Sequence, residues 1–321
     1  MKTQLDCIPC FIRQALEAAR HAEANEATQA LVLRSVCRWA GDMDMTMTPP
    51  VMGQRIHRLV RQLTGNPDPY AKQKLQFNQA ALELLPELRQ QIAQAADPFG
   101  TAVRIAIAGN AIDSGAYNGL DGRNLRAHIA HAIACPLAGS LEPLRHIVRT
   151  ANNILYIADN AGEIVLDRLL IEQLGPPRIT VVVRGQAVLN DATLVDAVAA
   201  GLNGLVEVMD NGSDAPGTLL SDGTAEIQHR FAQADVVLAK GQGNYETLSA
   251  VTRPNVFFLL MAKCPVIAGH IGCERNSLVV AQPQPPAAAP ELHSRTTATQ
   301  HDGGANAARR IANINFANDE E

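Results

Sequence analysis

Residues 153–167, Asn-Ile-Leu-Tyr-Ile-Ala-Asp-Asn-Ala-Gly-Glu-Ile-Val-Leu-Asp, concentrate side chains that can do chemistry in one short stretch. The apolar run 154–157 is too brief for a helix, and its branched and aromatic residues suit a buried strand. It ends at Asp159 and Asn160, two adjacent oxygen-bearing side chains, before Gly162 lets the backbone turn. Ile164, Val165, Leu169, Leu170 and Leu174 then recur at helical spacing, with Asp167, Arg168 and Glu172 on the other face. A strand that delivers such groups to a glycine turn before a helix is where α/β proteins place their sites. Taken alone, Asp159 reads more readily as a helix cap. Recurrence of the pattern along the chain favours the chemical reading.

Polar groups recur wherever an apolar run ends. They are Asn110 and Asp113, then Asp159, Asn160 and Glu163, then Asn190 and Asp191, then Asn211 and Ser213, then Lys240, Asn244 and Tyr245. In an open parallel sheet the carboxyl ends of the strands share one edge, so groups tens of residues apart converge there. Asp159, Asn160 and Asp191 form an oxygen-rich donor set suited to a hard cation such as Mg²⁺ or Mn²⁺. Lys240, read in a Gly-x-Gly loop beside exposed backbone N–H groups, suits a phosphate, although on its own it also reads as a solvated loop lysine. A cation, a lysine and N–H donors together would clamp a phosphoryl group. The catalytic set is therefore Asp159, Glu163 and Lys240. Asn110, Asp113, Asn211, Ser213, Lys240, Asn244 and Tyr245 are assigned to substrate. No G-x-G-x-x-G follows a strand and no G-x-x-x-x-G-K-[ST] loop occurs, which argues against dinucleotide-binding and P-loop folds.

The elements that must position these residues alternate. Residues 9–96 read as helices: apolar stripes lie at 11–19, 30–40 and 51–63, then one long helix or two across 70–96, since Pro86 interrupts the pattern. From residue 98 the rhythm changes. Strands are expected at 101–108, 154–157, 178–183, 205–209, 234–239 and 255–261. Helices are expected at 124–135, 141–150, after Gly162, at 193–202 and at 245–251. This β-α order implies a three-layer α/β/α fold with a mostly parallel sheet, plus an N-terminal helical subdomain. Division into 1–97 (helical), 98–280 (α/β) and 281–321 (a Pro- and Ala-rich low-complexity tail) follows, with a weak terminal helix at 309–316.

Composition narrows the function. Hydrophobic residues make up 47% of the chain and charged residues 18%, ample for a core. Lys+Arg 27 against Asp+Glu 32, a formal charge of −5 and 4% aromatics argue against a nucleic-acid partner. No stretch approaches the ~20 apolar residues of a membrane span, and Asp6 and Arg13 interrupt any signal core, so a cytoplasmic protein is expected. The six cysteines do not make a disulfide scaffold. Only Cys7 and Cys10 have motif spacing. Packing of the first helix, thiolate chemistry favoured by a helix start, and a zinc site completed by residues such as Cys37 are the open readings.

Four ordered motifs carry a resemblance. Residues 109–113 (Gly-Asn-Ala-Ile-Asp), 158–163 (Ala-Asp-Asn-Ala-Gly-Glu), 188–193 (Val-Leu-Asn-Asp-Ala-Thr) and 240–246 (Lys-Gly-Gln-Gly-Asn-Tyr-Glu) resemble the successive motifs of the damage-control phosphatases. These metal-binding domains are related to an acidic-residue methyltransferase. Cys7-Ile-Pro-Cys10 resembles the stand-alone prokaryotic branch, and the likeness runs over about residues 1–280. The resemblance implies one divalent cation (Mn²⁺, Mg²⁺, Co²⁺ or Ni²⁺), with the family's metal motif falling on Asp159, Asn160 and Asp191 and its substrate-phosphate lysine on Lys240. It implies hydrolysis of phosphate esters of small metabolites, either by attack of water oriented by Asp159 or Glu163 or through a covalent intermediate on Asp159. Glu246 stands where another branch carries arginine, so substrate preference does not transfer. A non-catalytic regulator that binds metal and phosphometabolite in the same cleft is the rival reading. A methyltransferase is weaker, since no loop suggests an adenosine pocket.

Overall fold

The computed structural model describes residues 1–110, 122–253 and 255–283. The expected tail from 284 onward, the helix at 309–316 and Asp113 lie outside the described residues. Three amphipathic helices come first, α1 (Cys7–His21), α2 (Glu26–Gly41) and α3 (Pro49–Thr64). Asn25 caps α2 by accepting from Thr28 N, Pro49 opens α3, and Gly65 closes α3 in the left-handed region that glycine adopts readily. Their buried faces, including Phe11, Ala15, Val32, Val36, Ile56 and Val60, form a core of their own.

The remaining helices before the main strands are α4 (Ala71–Gln94), α5 (Pro98–Gly109), α6 (Gly122–Ala134) and α7 (Glu142–Thr150), with the short strand β1 (Leu137–Ala138) before α7. α4 runs through Pro86 as a single helix. Residues 101–108, expected as a strand, are helical, and this is a correction. Asp97 accepts from Gly100 N at 3.0 Å and Pro98 occupies the first turn, a strong start signal. The helix is buried nearly all round, so its apolar residues lose the 3.6-residue period and mimic a two-sided strand. Asn110 therefore sits at a helix end rather than a strand end.

Alternation then follows: β2 (Ile154–Ile157), α8 (Glu163–Leu174), β3 (Ile179–Val183), α9 (Leu194–Ala199), β4 (Glu207–Asp210), α10 (Ala225–Gln233), β5 (Val236–Lys240), α11 (Gly241–Leu248), β6 (Val256–Met261), α12 (Pro265–Ile271) and β7 (Leu278–Ala281). The sheet order is β1-β7-β6-β5-β2-β3-β4. All pairings are parallel except β6 with β7. β1, α10, α12 and β7 were not expected from the sequence.

Strand residues alternate between two cores as the pleat requires. Ile154, Tyr156, Val181, Val236 and Leu238 pack with α4 to α9. Leu155, Ile157, Val182, Val237 and Ala239 pack with α10 to α12. The helical region expected over 1–97 thus divides between α1–α3, with their own core, and α4, which belongs to a layer on the sheet. The chain leaves β2 toward β3 and β4, then returns through α10 to β5 on the other side of β2. The carboxyl ends of β2 and β5 therefore flank a topological switch point, the place where open sheets bind ligands. Among the described residues, no helix is long and apolar enough to cross a membrane.

A charge cluster ties α3 to the loop after β4. Asp214, 4% exposed, accepts from Gln54 Nε2 at 2.7 Å and Arg58 Nη2 at 2.6 Å, and pairs with Arg61. Burial pushes the Asp214 carboxyl up, but hydrogen bonds from Arg58 and Gln54 outweigh it and hold the group below its ordinary value. Asp214→Asn is expected to lower the unfolding free energy at pH 7 by about 2 kcal/mol, less than a fully buried pair because Arg58 is largely exposed. Because the folded-state pKa is depressed, this contribution is present above the unfolded carboxylate value of about 4 and is lost as pH falls through the folded value. Urea unfolding of both proteins at pH 7 and pH 3 should show the difference shrinking at the lower pH.

Candidate active site

The turn after β2 brings the cluster together. Asp159 O accepts from Ala192 N at 2.7 Å and Asn190 O accepts from Ala161 N at 2.8 Å, and residues 160 and 191 form an isolated antiparallel bridge. Two loops separated by thirty residues are thereby laced together, which holds Asp159, Asn160 and Asp191 side by side. Gly162 turns at φ 76°, and a side chain there would meet Phe77 of α4 at 2.9 Å. From the same helix Asn78 Oδ1 accepts from Gly162 N at 2.7 Å. Asn78 Nδ2 donates to Asp196, the capping-box residue that starts α9. Lys74 completes this support by pairing with Asp68 and Asp196.

Asn110 reaches the same place from the end of α5. Its Nδ2 donates to Asp159 Oδ2 and to Glu163 Oε2, each at 3.0 Å. Asn160 Nδ2 donates to the same two oxygens at 2.7 and 3.0 Å. Two amides therefore bridge two carboxylates that would otherwise repel one another. Glu163 Oε1 accepts from Lys240 Nζ at 2.6 Å, and Lys240 also donates to Asp167 Oδ1 and, at 2.9 Å, to Ala106 O. Tyr156 Oη donates to Asp167 Oδ1 at 2.8 Å. On the other side Arg184 Nε donates to Asp191 Oδ2 at 2.6 Å, and its Nη2 lies 3.4 Å from Asp159 Oδ1.

Lys240 is wholly buried, which corrects its expected place in an open Gly-x-Gly loop. It ends β5, and α11 begins at the next residue. Val236, Leu238 and Lys240 share one face of the strand, so the ammonium points under α5 and α8 and meets carboxylates rather than solvent. Burial drives Lys240 toward neutrality, but the Asp167 and Glu163 charges outweigh it and raise its pKa. Burial and the charges of Asp191 and Glu163 push the Asp159 carboxyl well above its usual range, against smaller opposing effects of Arg184 and Lys263. Asp191 is raised mainly by burial, with Arg184 opposing. Burial carries Asp167 to about 7, with Lys240 opposing.

The other expected substrate residues are distributed around this centre. Asn244 Nδ2 donates to Ala158 O and Lys240 O, and its Oδ1 accepts from Thr218 Oγ1 at 2.8 Å, so it locks the ends of β2 and β5 together. Asn211 Oδ1 accepts from Gly185 N and Ser213 N, which fixes the loop beside Arg184. Ser213 Oγ donates to Asp222. Tyr245 lies in the layer of α10 to α12, its hydroxyl paired with His270 Nδ1 at 2.7 Å and its ring edge-on to Phe258. Of the cysteines, Cys7 packs against the α1–α3 core, while Cys10 and Cys37 are exposed.

Four participants escaped the sequence reading. Arg184 directly follows the strand expected at 178–183 and carries no motif of its own. Asp167 was placed on the outer face of α8, although its spacing of four from Glu163 puts both carboxylates on one face. Tyr156 read as core. Lys263, half-buried after β6, acts electrostatically on Asp159, a proximity no local pattern could reveal.

Gly241 is where the site has least room. It turns at φ 75°, and a side-chain carbon there would stand 1.8 Å from Asp159 Oδ2. Gly65 is equally left-handed, with nothing within 4 Å. Gly65→Ala is therefore expected to cost about 1 kcal/mol of unfolding free energy and Gly241→Ala about 3 kcal/mol, the difference being the displacement of Asp159. Denaturant unfolding of the two variants side by side checks this, and equal losses would contradict it.

Comparison with known proteins bears on the family and the fold. The model of the damage-control phosphatase ARMT1-like domain matches residues 3–279. The chain is 30% identical to damage-control phosphatase PH1575 of Pyrococcus horikoshii over 285 residues, 87% of this chain and 97% of that protein. It is 33% identical to a damage-control phosphatase of Archaeoglobus fulgidus over 233 residues, 71% of this chain and 80% of that one. An uncharacterized protein of Methanocaldococcus jannaschii, MJ0202, is 33% identical over 288 residues, 85% of this chain and 93% of its own. The crystal structure of a DUF89 family protein from Pyrococcus horikoshii superimposes with a TM-score of 0.79 at 29% identity, covering 88% of this chain and 100% of that one. With motifs, fold and near-full-length matches in accord, the chain belongs to the damage-control phosphatase ARMT1-like domain family.

Proposed function

We propose that this protein is a metal-dependent phosphatase that hydrolyses phosphate esters of small metabolites, such as sugar phosphates, damaged phosphometabolites or nucleotides. The observation that carries the reading is the charge balance at the switch point. Among the described residues, Asp159, Glu163, Asp167 and Asp191 are buried and form ion pairs with Arg184 and Lys240, so the carboxyl groups outnumber these two cations by two. One divalent cation matches that excess. The donor set is oxygen and amide, which suits Mg²⁺ or Mn²⁺ and admits Co²⁺ or Ni²⁺. Among the described residues no group of three or more His, Cys, Asp and Glu is placed to hold a metal ion, so the third oxygen donor here is the Asn160 amide. Asp159, Asn160 and Asp191 would hold it, and when bound it would supply charge neutralisation to the phosphoryl group. The names of the Pyrococcus and Archaeoglobus relatives support the same activity.

The chain's own residues divide the remaining work. Asp159 or Glu163 accepts the proton of the attacking water as the new P–O bond forms, while the ester P–O bond breaks and the departing alcohol oxygen takes a proton from solvent. The alternative is that Asp159 itself attacks phosphorus. Asn110 and Asn160 hold both carboxylates in place. Lys240 is better assigned as a positioning residue that fixes Glu163 than as a direct phosphate contact. Lys263, at the same sheet edge and partly exposed, is the better candidate for meeting the phosphoryl charge. Asn190 Nδ2 and Asn211 Nδ2, both buried and without a hydrogen-bond partner among the described residues, are donors suited to anionic oxygen.

Phosphate release from a panel of sugar phosphates and nucleotides, with Mg²⁺, Mn²⁺, Co²⁺ and Ni²⁺ in turn, tests the proposal. Release is expected only with a cation, to stop on chelation, and to fall by about 100-fold or more in Asp191→Ala. No release from any ester, with cation binding intact, would instead favour a non-catalytic regulator that uses the same cleft.

A further inference from the structure

Arg184 lies between the two carboxylates just assigned to the cation and is the largest fully buried side chain among the described residues. Its four contacts are unequal. Nε donates to Asp191 Oδ2 at 2.6 Å. Nη2 to Asp159 Oδ1 is 3.4 Å, Nη1 to Thr218 Oγ1 is 3.4 Å, and Nη1 to Asn244 Oδ1 is 3.3 Å. Only the Asp191 contact is short; the others lie at the limit of a hydrogen bond. Its backbone is pinned by Arg184 N donating to Ala192 O at 2.9 Å, one residue from Asp191.

We propose that Arg184 is a built-in counter-cation that holds Asp159 and Asp191 together before the divalent ion arrives, and then weakens the ion's hold. The inference rests on the cation reading above and deepens it. A guanidinium donating to a carboxylate oxygen occupies a lone pair that a cation would otherwise use. Its positive charge also opposes a second positive charge a few ångströms away, in a space where screening by water is poor. Release of Asp191 does not strand the guanidinium, because Thr218 and Asn244 already stand on its far side as neutral acceptors, both buried. The arginine can pass from charged to neutral partners within the same cavity. Arg184 thus positions the ligands and keeps cation affinity moderate, which a site that must admit and release phosphate requires.

The electrostatic sign distinguishes this role from a structural one. Loss of a merely structural residue loosens the ligands and weakens binding, whereas loss of an opposing charge strengthens it. Isothermal titration with Mn²⁺ on the whole chain should show Arg184→Gln binding at least about tenfold tighter than the wild type, by the size of a partly screened charge repulsion. Arg184→Lys, which keeps the charge, should stay within about threefold of the wild type on the same reasoning. Without the ion, Arg184→Gln should unfold at a lower temperature than the wild type, and its gain on adding Mn²⁺ should be larger. Unchanged or weaker binding in a folded Arg184→Gln, or equal tightening in Arg184→Lys, overturns the inference while leaving the cation reading intact. A wild type that binds none of the four cations removes the cation reading, and the inference with it. Should Arg184→Gln not fold, the wild type answers alone. Its Arg184 Nε–H resonance, identified by its loss in Arg184→Lys, should shift and exchange faster with solvent at saturating Mg²⁺. A resonance that does not move at saturation overturns the inference.

Discussion

Negative charge held out of water is the constraint around which this molecule is arranged. Asp159, Glu163, Asp167 and Asp191 are each at most 8% exposed. Taking ionised carboxylates out of water is costly unless they are paired and hydrogen-bonded. The fold supplies that pairing from elements far apart in sequence: Lys240 from β5, Arg184 from β3, Asn110 from α5, and Asn160 from the turn itself. None of these contacts forms unless the sheet has its native order, with β5 beside β2 and β3 on the other flank. The apolar core aligns the strands, and the polar network then ties their ends in register.

Support extends outward in layers. α4 touches no reacting group, yet Asn78 and Phe77 fix the Gly162 turn, and Lys74 fixes the start of α9 through Asp196. Asp214 and its arginines bind α3 to the loop that carries Asn211 and Ser213. The N-terminal helices therefore bear on the chemistry by holding loops in place, which is the usual way a rigid scaffold makes surface loops precise. Such a site tolerates change at its rim better than in its supports, because the supports have no slack: a single added carbon at residue 241 would overlap Asp159.

Much of this was legible in the sequence, and the failures have physical reasons. β2, β3 and β6 were plain because two-sided burial leaves short, continuous apolar runs. The damage-control phosphatase resemblance was readable because its four motifs all lie at element ends, where backbone geometry restricts the residue types. Residues 101–108 misled because a helix buried all round has no polar face to mark its period, so Val-Arg-Ile-Ala-Ile-Ala looked like a strand. α12 and β7 were missed because a short helix and an antiparallel return strand interrupt the expected alternation. At the site, residue type pointed to Asp159, Asn160 and Asp191, but type alone cannot give direction. Lys240 was expected to face a loop and instead faces inward, since its place on the pleat sets its side. Arg184 and Asp167 were overlooked because a lone charged residue after a strand or on a helix reads as solvated until the fold closes over it.

The central claim is that the buried surplus of two carboxyl groups over the cations paired with them is a binding site for one divalent cation. Equilibrium dialysis of the whole chain against Mn²⁺ tests it most directly, beside a double Asp159→Asn, Asp191→Asn variant shown to be folded by circular dichroism. The account predicts one Mn²⁺ per chain for the wild type and none for the variant, whose carboxyl surplus has been removed with little change of shape. A wild type that retains no ion, or a folded variant that still retains one, would contradict it.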